Sequence, residues 1–202
     1  NAAGLSATDL STLGGKTAGT VTVSNAVVIS GTTSQVTAAL VTDDTKVTAG
    51  SALVTISDAN TTNINAEDLS AIGEKTSGQV TVSNAINIQG TTDQVTAALV
   101  TDDSLVVAAS ATVELDDAST VAELNAIAPK AGVITGSIAA TSLASLSDLS
   151  TAGTDVITIT VNDAAESNVD AEDLSTLGGK TAGTVTVTNA CLLYTSDAAD
   201  DL

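Results

Sequence analysis

The string Asp9-Leu-Ser-Thr-Leu-Gly-Gly-Lys-Thr-Ala-Gly19 returns almost unchanged as Asp68-Leu-Ser-Ala-Ile-Gly-Glu-Lys-Thr-Ser-Gly78, and again as Asp173-Leu-Ser-Thr-Leu-Gly-Gly-Lys-Thr-Ala-Gly183. The first two copies lie 59 residues apart, and the match runs on without a gap through Gly31-Thr-Thr-Ser-Gln-Val-Thr-Ala-Ala-Leu-Val-Thr-Asp-Asp44 and its counterpart ending at Asp103. Glu123-Leu-Asn-Ala-Ile127 is a weaker echo. Recurrence at a fixed period marks a stacked repeat, in which no unit can bury its apolar side alone and each is covered by its neighbours.

Each long unit divides into two coils that read as a strand, a short polar turn and a brief helix. Thr20–Val23, Val54–Ser57, Val80–Ser83, Thr112–Leu115, Val156–Thr160 and Val185–Thr188 alternate β-branched and small polar residues with a period of two, the pattern of a half-buried strand. Helices are expected near 6–13, 33–41, 65–73, 92–100, 119–127, 142–149 and 170–177. Asn65 and Asp170 stand where helix caps are expected, and Thr120 with Glu123 fits a capping box. Gly14, Gly73 and Gly178 follow the last apolar residue, where a left-handed terminating residue is expected. Such helices are too short to stand alone in water, so packing must hold them.

The fold class expected is therefore α/β, a solenoid of strands and short helices with a parallel sheet; the alternative is a β-solenoid with short helical turns. Leu69, Val95 and Leu124 should then be buried. Residues 1–190 form the repeat region, with units of about 4–64, 65–121, 122–169 and 170–190. The chain opens at Asn1 inside a repeat, and the expectation is a piece of a longer protein. The sole Cys and the sole Tyr, Cys191 and Tyr194, fall in Cys191-Leu-Leu-Tyr-Thr-Ser-Asp-Ala-Ala-Asp200. That string resembles the translation of a sequencing adapter, TGT CTC TTA TAC ACA TCT GAC GCT GCC GAC, so residues 191–202 are read as a non-native tail.

Composition excludes much chemistry. The 202 residues carry no His, Phe, Trp or Met, and every one of the five basic residues is Lys, against 24 acids and a net charge of −19. Without His there is no imidazole base and no Ser-His-Asp triad. Without Arg there is no bidentate phosphate clamp. So acidic a field repels nucleic acid, and no apolar run is long enough for membrane insertion. Gly14-Gly-Lys-Thr17 mimics the end of a phosphate loop, but Leu10 stands where that loop needs its first glycine. No pair of carboxylates stands apart from the repeat as a catalytic acid and base. The chain reads as non-enzymatic.

A small polar pair and an alanine follow nearly every strand. Asn25, Asp58, Asn84, Asp117, Asp163 and Asn189 are read as a hydrogen-bonding ladder along one edge, satisfying turn backbone. One coil lacks it, at Ala139-Ala140, where a kink or defect is expected. The doublets Asp43-Asp44, Asp102-Asp103 and Asp116-Asp117 are the candidate calcium ligands, since calcium takes carboxylates in flexible geometry. Neither EF-hand spacing nor the glycine-rich calcium nonapeptide is present.

The strings Asp9–Ala26, Ile29–Leu40 and Val54–Ile72 resemble the degenerate repeats of giant secreted and cell-surface proteins of bacteria. These include cyanobacterial surface motility proteins of marine species and large hemolysin-like calcium-binding exoproteins. The resemblance implies an extracellular setting and a structural or adhesive role, as a stalk or spacer. It also implies calcium-binding repeats elsewhere in the parent chain. The alternative is a calcium-dependent module that binds surface polysaccharide or other cell-surface components. The absence of cysteine from the repeat region, and its acidity, suit a long exoprotein kept soluble in salt.

Overall fold

The computed structural model describes residues 4–101, 105–189 and 191–195. Among them every paired strand is parallel, and the fold is α/β, with strands alternating with short helices. One sheet stacks Leu5–Ser6, Val28–Gly31, Leu53–Ile56, Val80–Val82 and Val106–Val107, so that Leu5, Ile29, Val54, Val80 and Val106 sit one above another. A second sheet stacks Asn63–Asn65, Asn87–Gly90, Thr112–Ser119, Val133–Ile138, Val156–Val161 and Val185–Val187. Its inward column begins Ile64, Ile88, Val113, Ile134. Two short pairs complete the set: Val21–Thr22 with Val47–Thr48, and Asn168–Asp170 with Leu192–Tyr194.

Seven helices link these strands: α1 (Ala7–Gly15), α2 (Thr33–Val36), α3 (Ala66–Gly73), α4 (Thr92–Leu99), α5 (Val121–Ile127), α6 (Leu143–Leu146) and α7 (Ala171–Gly178). All lie where the sequence places them. α2 continues into a wide turn at Thr37–Val41, and α5 into a tight one at Ala128–Lys130. The expected capping box holds at Thr120, and two that were not expected form at Thr32 and Thr91. Asp170 caps α7 by accepting from Glu172 N, whereas Asn65 occupies the cap of α3 without a side-chain bond.

The core is one continuous layer between sheets and helices. Leu69 and Ile72 of α3, Val95 and Ala98 of α4, and Leu124 and Ile127 of α5 are wholly buried, and they face the stacked Val and Ile of the strands. Each coil rests on the next at the strand spacing, about 4.8 Å. The layer is filled by aliphatic side chains and alanine, which accounts for the missing aromatics. No helix among the described residues is long and apolar enough to cross a membrane.

Two expectations need correction. The chain has more strands than the one per coil expected: Val28–Gly31, Val47–Thr48, Asn63–Asn65, Asn87–Gly90, Val106–Val107, Val133–Ile138 and Asn168–Asp170 are strands outside the alternating Thr/Val runs. The glycines that follow the last apolar residue are not left-handed terminators. Gly14, Gly73 and Gly178 all close helices in helical conformation, and none has positive φ. A β-carbon on Gly14 would instead overlap the carbonyl oxygen of Thr45 in the coil above. The small residue makes room for a neighbour; it does not turn the chain.

The defect expected near Ala139-Ala140 takes a definite form. Each step of the stack from Leu5 to Val106 takes 24 to 26 residues, but the step from Val113 to Ile134 takes only 21. Thr112–Ser119 itself is irregular: Glu114 faces Thr135 but Ala118 faces Ser137, so it carries two more residues there than its partner strand, a bulge of the kind that re-aims side chains. Gly136 lies opposite it, where a β-carbon would come within 3.2 Å of the Leu115 side chain.

Replacing Leu124 by Ala removes a wholly buried side chain and should cost about 2–5 kcal/mol in a urea melt. The equivalent hydroxyls of Thr37 and Thr96 are buried with no hydrogen-bond partner among the described residues. Thr96→Val should therefore hold or raise the melting temperature, because a buried polar group without a partner opposes folding. A clear drop would show that this hydroxyl is paired.

Candidate functional site

The edge ladder is real at five of its six positions, and its chemistry differs from simple turn satisfaction. Asp58 reaches back to the previous coil, where its Oδ2 accepts from Thr33 N at 2.6 Å and from Thr33 Oγ1 at 2.8 Å. Asp117 repeats this on Thr92 N and Thr92 Oγ1, both at 2.7 Å, and the Thr92 hydroxyl also meets Ser119 Oγ at 2.6 Å. Asp163 accepts from Leu143 N at 2.8 Å. Thr33, Thr92 and Leu143 are the first residues of α2, α4 and α6, whose N–H groups have no partner inside their own helices. Each Asp thus closes a helix start in the coil before its own, where negative charge is also favoured.

The Asn members do the opposite job. Asn84 Nδ2 donates to Asp58 O at 2.6 Å, and Asn189 Nδ2 donates to Asp163 O at 2.5 Å. An Asp that accepts is followed one coil later by an Asn that donates, which is why the two residue types alternate. Asn25 has no hydrogen-bond partner among the described residues. At Ala139-Ala140 the donor side chain is missing, and Ala139 N bonds instead to Ser119 O.

A second inter-coil clip lies in the Lys-Thr-x-Gly that closes the quoted motif. The Thr76 hydroxyl bonds to Ala52 O in the coil below and receives Gly78 N. The Thr181 hydroxyl lies 2.8 Å from Ile157 O and accepts from Ile157 N and Gly183 N at the same distance. A β-carbon on Gly78 or Gly183 would overlap the carbonyl of Ala52 or Ile157. The glycine lets the threonine come close enough to bond. Gly179-Lys180-Thr181 thus ends a helix and fastens two coils, whereas in Gly14-Gly-Lys-Thr17 the threonine hydroxyl accepts from Gly19 N within its own coil.

Two clamps were not foreseen. Asp155 is only 4% exposed, and its two oxygens accept from Ile134 N and Ala152 N at 2.9 and 2.8 Å. Asn125 holds the loop above it, donating to Asp148 O and accepting from Ser150 N, both at 2.8 Å. Both belong to the shortened part of the stack, so neither recurs in the repeat, and recurrence is the signal that exposed the ladder.

The proposed metal ligands are scattered. Asp43 and Asp44 are exposed on the turn Asp43–Thr45. Asp116 and Asp117 lie in the bulge, with one Asp117 oxygen already engaged by Thr92. Asp102 and Asp103 lie outside the described residues. Among the described residues no three acidic or other metal-ligating side chains come together. On the outer sheet face Glu114 accepts from Gln89 Nε2 at 2.6 Å and Asn87 Nδ2 at 3.2 Å. These bonds, Gln89 first, hold its carboxyl below the usual value.

A scan against protein-family models finds no match to this chain, and searches of the curated proteins and of the solved structures find none either.

The Thr92 side chain, and then its backbone N–H, hold the Asp117 carboxyl below its ordinary value. A carboxylate lowered by folding stabilises fully above its unfolded value, about 3.9, and that contribution is lost as pH falls through the lowered folded value. Asp117→Ala should cost about 1–2 kcal/mol at neutral pH, as loss of a helix cap does. It should also flatten the decline in melting temperature below about pH 4. Asp117→Asn keeps an acceptor and should lose less at neutral pH. Equal losses for Ala and Asn would show that charge, not the hydrogen bond, does the holding.

Proposed function

We propose that the chain is a non-enzymatic structural segment, a stalk or spacer of a large secreted or cell-surface protein. The observation that carries this reading is the destination of the recurring polar groups. Asp58, Asp117 and Asp163, with Asn84 and Asn189, spend their hydrogen bonds on the neighbouring coil, as do Thr76 and Thr181. Such groups transmit support from coil to coil. At about 4.8 Å per coil, the stack gains length by adding identical units, which suits a spacer. The likeness of its repeats to those of giant bacterial exoproteins supports an extracellular setting.

The calcium-dependent alternative predicts something different. A calcium module binds the ion with measurable heat and melts higher when loaded. A stalk that owes nothing to calcium responds to ions only through screening of its net charge of −19. Titration calorimetry with calcium chloride should therefore give no saturable heat, and calcium and magnesium should raise the melting temperature equally at equal ionic strength. A saturable calcium isotherm with a calcium-specific rise in melting temperature would replace the stalk by the module.

A further inference from the structure

We propose that Asn60 is an acceptor for N-linked glycosylation, its side-chain amide nitrogen taking the anomeric carbon of a sugar. Of the asparagines in the chain, Asn60 alone is followed two residues later by a hydroxyl residue, in Asn60-Thr-Thr62. Asn-X-Thr, with X other than proline, is the acceptor pattern of an exposed loop in an exported protein. The structure presents the pattern on the surface. Asn60 and Thr61 are exposed, on the turn between Leu53–Ile56 and Asn63–Asn65. The next coil holds this turn: Ala85 N donates to Asn60 Oδ1 at 3.1 Å, and Thr61 N donates to Ala85 O at 2.8 Å. A backbone N–H only donates, so the atom that faces Ala85 is the amide oxygen, and Nδ2 is the free end of the side chain. Neither Asn60 Nδ2 nor the Thr62 hydroxyl has a hydrogen-bond partner among the described residues. Asn84, Asn87, Asn125 and Asn189, by contrast, spend Nδ2 on their neighbours.

In the transfer, a bond forms between Nδ2 and C1 of the sugar, and the bond from C1 to a diphosphate leaving group breaks. The proton lost from Nδ2 passes to a base of the transferase. A lipid-linked oligosaccharide and a nucleotide sugar both carry that leaving group, and either serves as donor. The product amide keeps its carbonyl oxygen, so the bond from Ala85 N survives and the fold need not move. The chain contains its own control. Ser57-Asp-Ala-Asn-Thr-Thr-Asn63 and Asn162-Asp-Ala-Ala-Glu-Ser-Asn168 align without a gap, and both turn through a left-handed residue, Thr61 with φ 63° and Glu166 with φ 64°. The second copy keeps a hydroxyl at Ser167 but has Ala165 where the first has Asn60, so it lacks only the amide. A glycan on the first connector sets a bulky, hydrated group on one flank of the stack. This proposal rests on the extracellular part of the stalk reading.

Intact-mass spectrometry of the whole folded chain tests it. One arm uses a bacterial oligosaccharyltransferase with a lipid-linked oligosaccharide, the other a soluble N-glycosyltransferase with UDP-glucose. A peptide spanning residues 54–68 is run beside the chain in each arm. The expected result is the addition of one glycan in at least one arm, mapped to Asn60 by fragmentation, with the folded chain modified within tenfold of the rate of the peptide. The arm that succeeds identifies the donor. Asn60→Gln and Thr62→Ala should each abolish the addition, and Ala165→Asn should gain a second glycan at the twin turn. Thr62→Ala leaves Asn60 and its bond from Ala85 in place, so it guards against a folding defect in Asn60→Gln, and circular-dichroism melts should show all variants folded. No addition in either arm, addition to the peptide but not to the folded chain, or addition that persists in Asn60→Gln overturns the site. None of these outcomes alters the calcium titration, so the stalk reading stands or falls separately.

Discussion

The spacing of a parallel hydrogen-bonded ladder, about 4.8 Å, governs the rest of this structure. The core stacked at that spacing is Val, Ile, Leu and Ala. The same closeness forbids a β-carbon at Gly14, Gly78 and Gly183, where the carbonyl of an adjacent coil occupies the space. It also brings a short Asp or Asn within reach of backbone one coil away, which a wider spacing would not allow. The ladder and the threonine clip are both consequences of that distance.

Each coil therefore depends on its neighbours for two things. Its apolar layer is covered by them, and its helix starts are closed by them. The helices α2 and α6 have only four residues and no acid in their first turn, so the Asp of the following coil supplies what they lack. α1, α3 and α7 carry their own acids near the start: Asp9, then Glu67 and Asp68, then Glu172 and Asp173. Two kinds of coil alternate along the chain: the starts of α2, α4 and α6 are closed by the Asp of the following coil, although α4 also carries Asp93, whereas α1, α3, α5 and α7 rely on acids of their own. The period of 59 residues, two coils long, reflects that alternation.

Much of this was legible in the sequence because repetition amplifies weak signals. Short helices with modest propensity became readable once the same string had been seen three times, and Leu69, Val95 and Leu124 are buried as expected. What stayed hidden was non-local or unrepeated. Val28–Gly31 and Asn87–Gly90 carry Ser, Asn, Gln and Gly, which have little strand preference, and they are strands because parallel neighbours hold them on both sides. The role of Gly14 depends on Thr45, far along the chain and near in space, and sequence alone offered only the local alternative of a helix terminator. Asp155 looks like any surface acid in the sequence. Its burial follows from the shortened coil, whose Ile134 N–H takes a carboxylate oxygen as its acceptor.

Residue-resolved amide hydrogen exchange tests directly whether each coil closes the helix of its neighbour. The first amides of α2, α4 and α6, at Thr33, Thr92 and Leu143, should exchange as slowly as those of the central strands. Asp93, one residue further along α4, should exchange quickly. Removing Asp58, Asp117 or Asp163 should release only the amide it holds. If Thr33, Thr92 and Leu143 exchange as fast as Asp93 in the intact protein, the inter-coil bonds do not persist in solution and the coils are held by apolar contact alone.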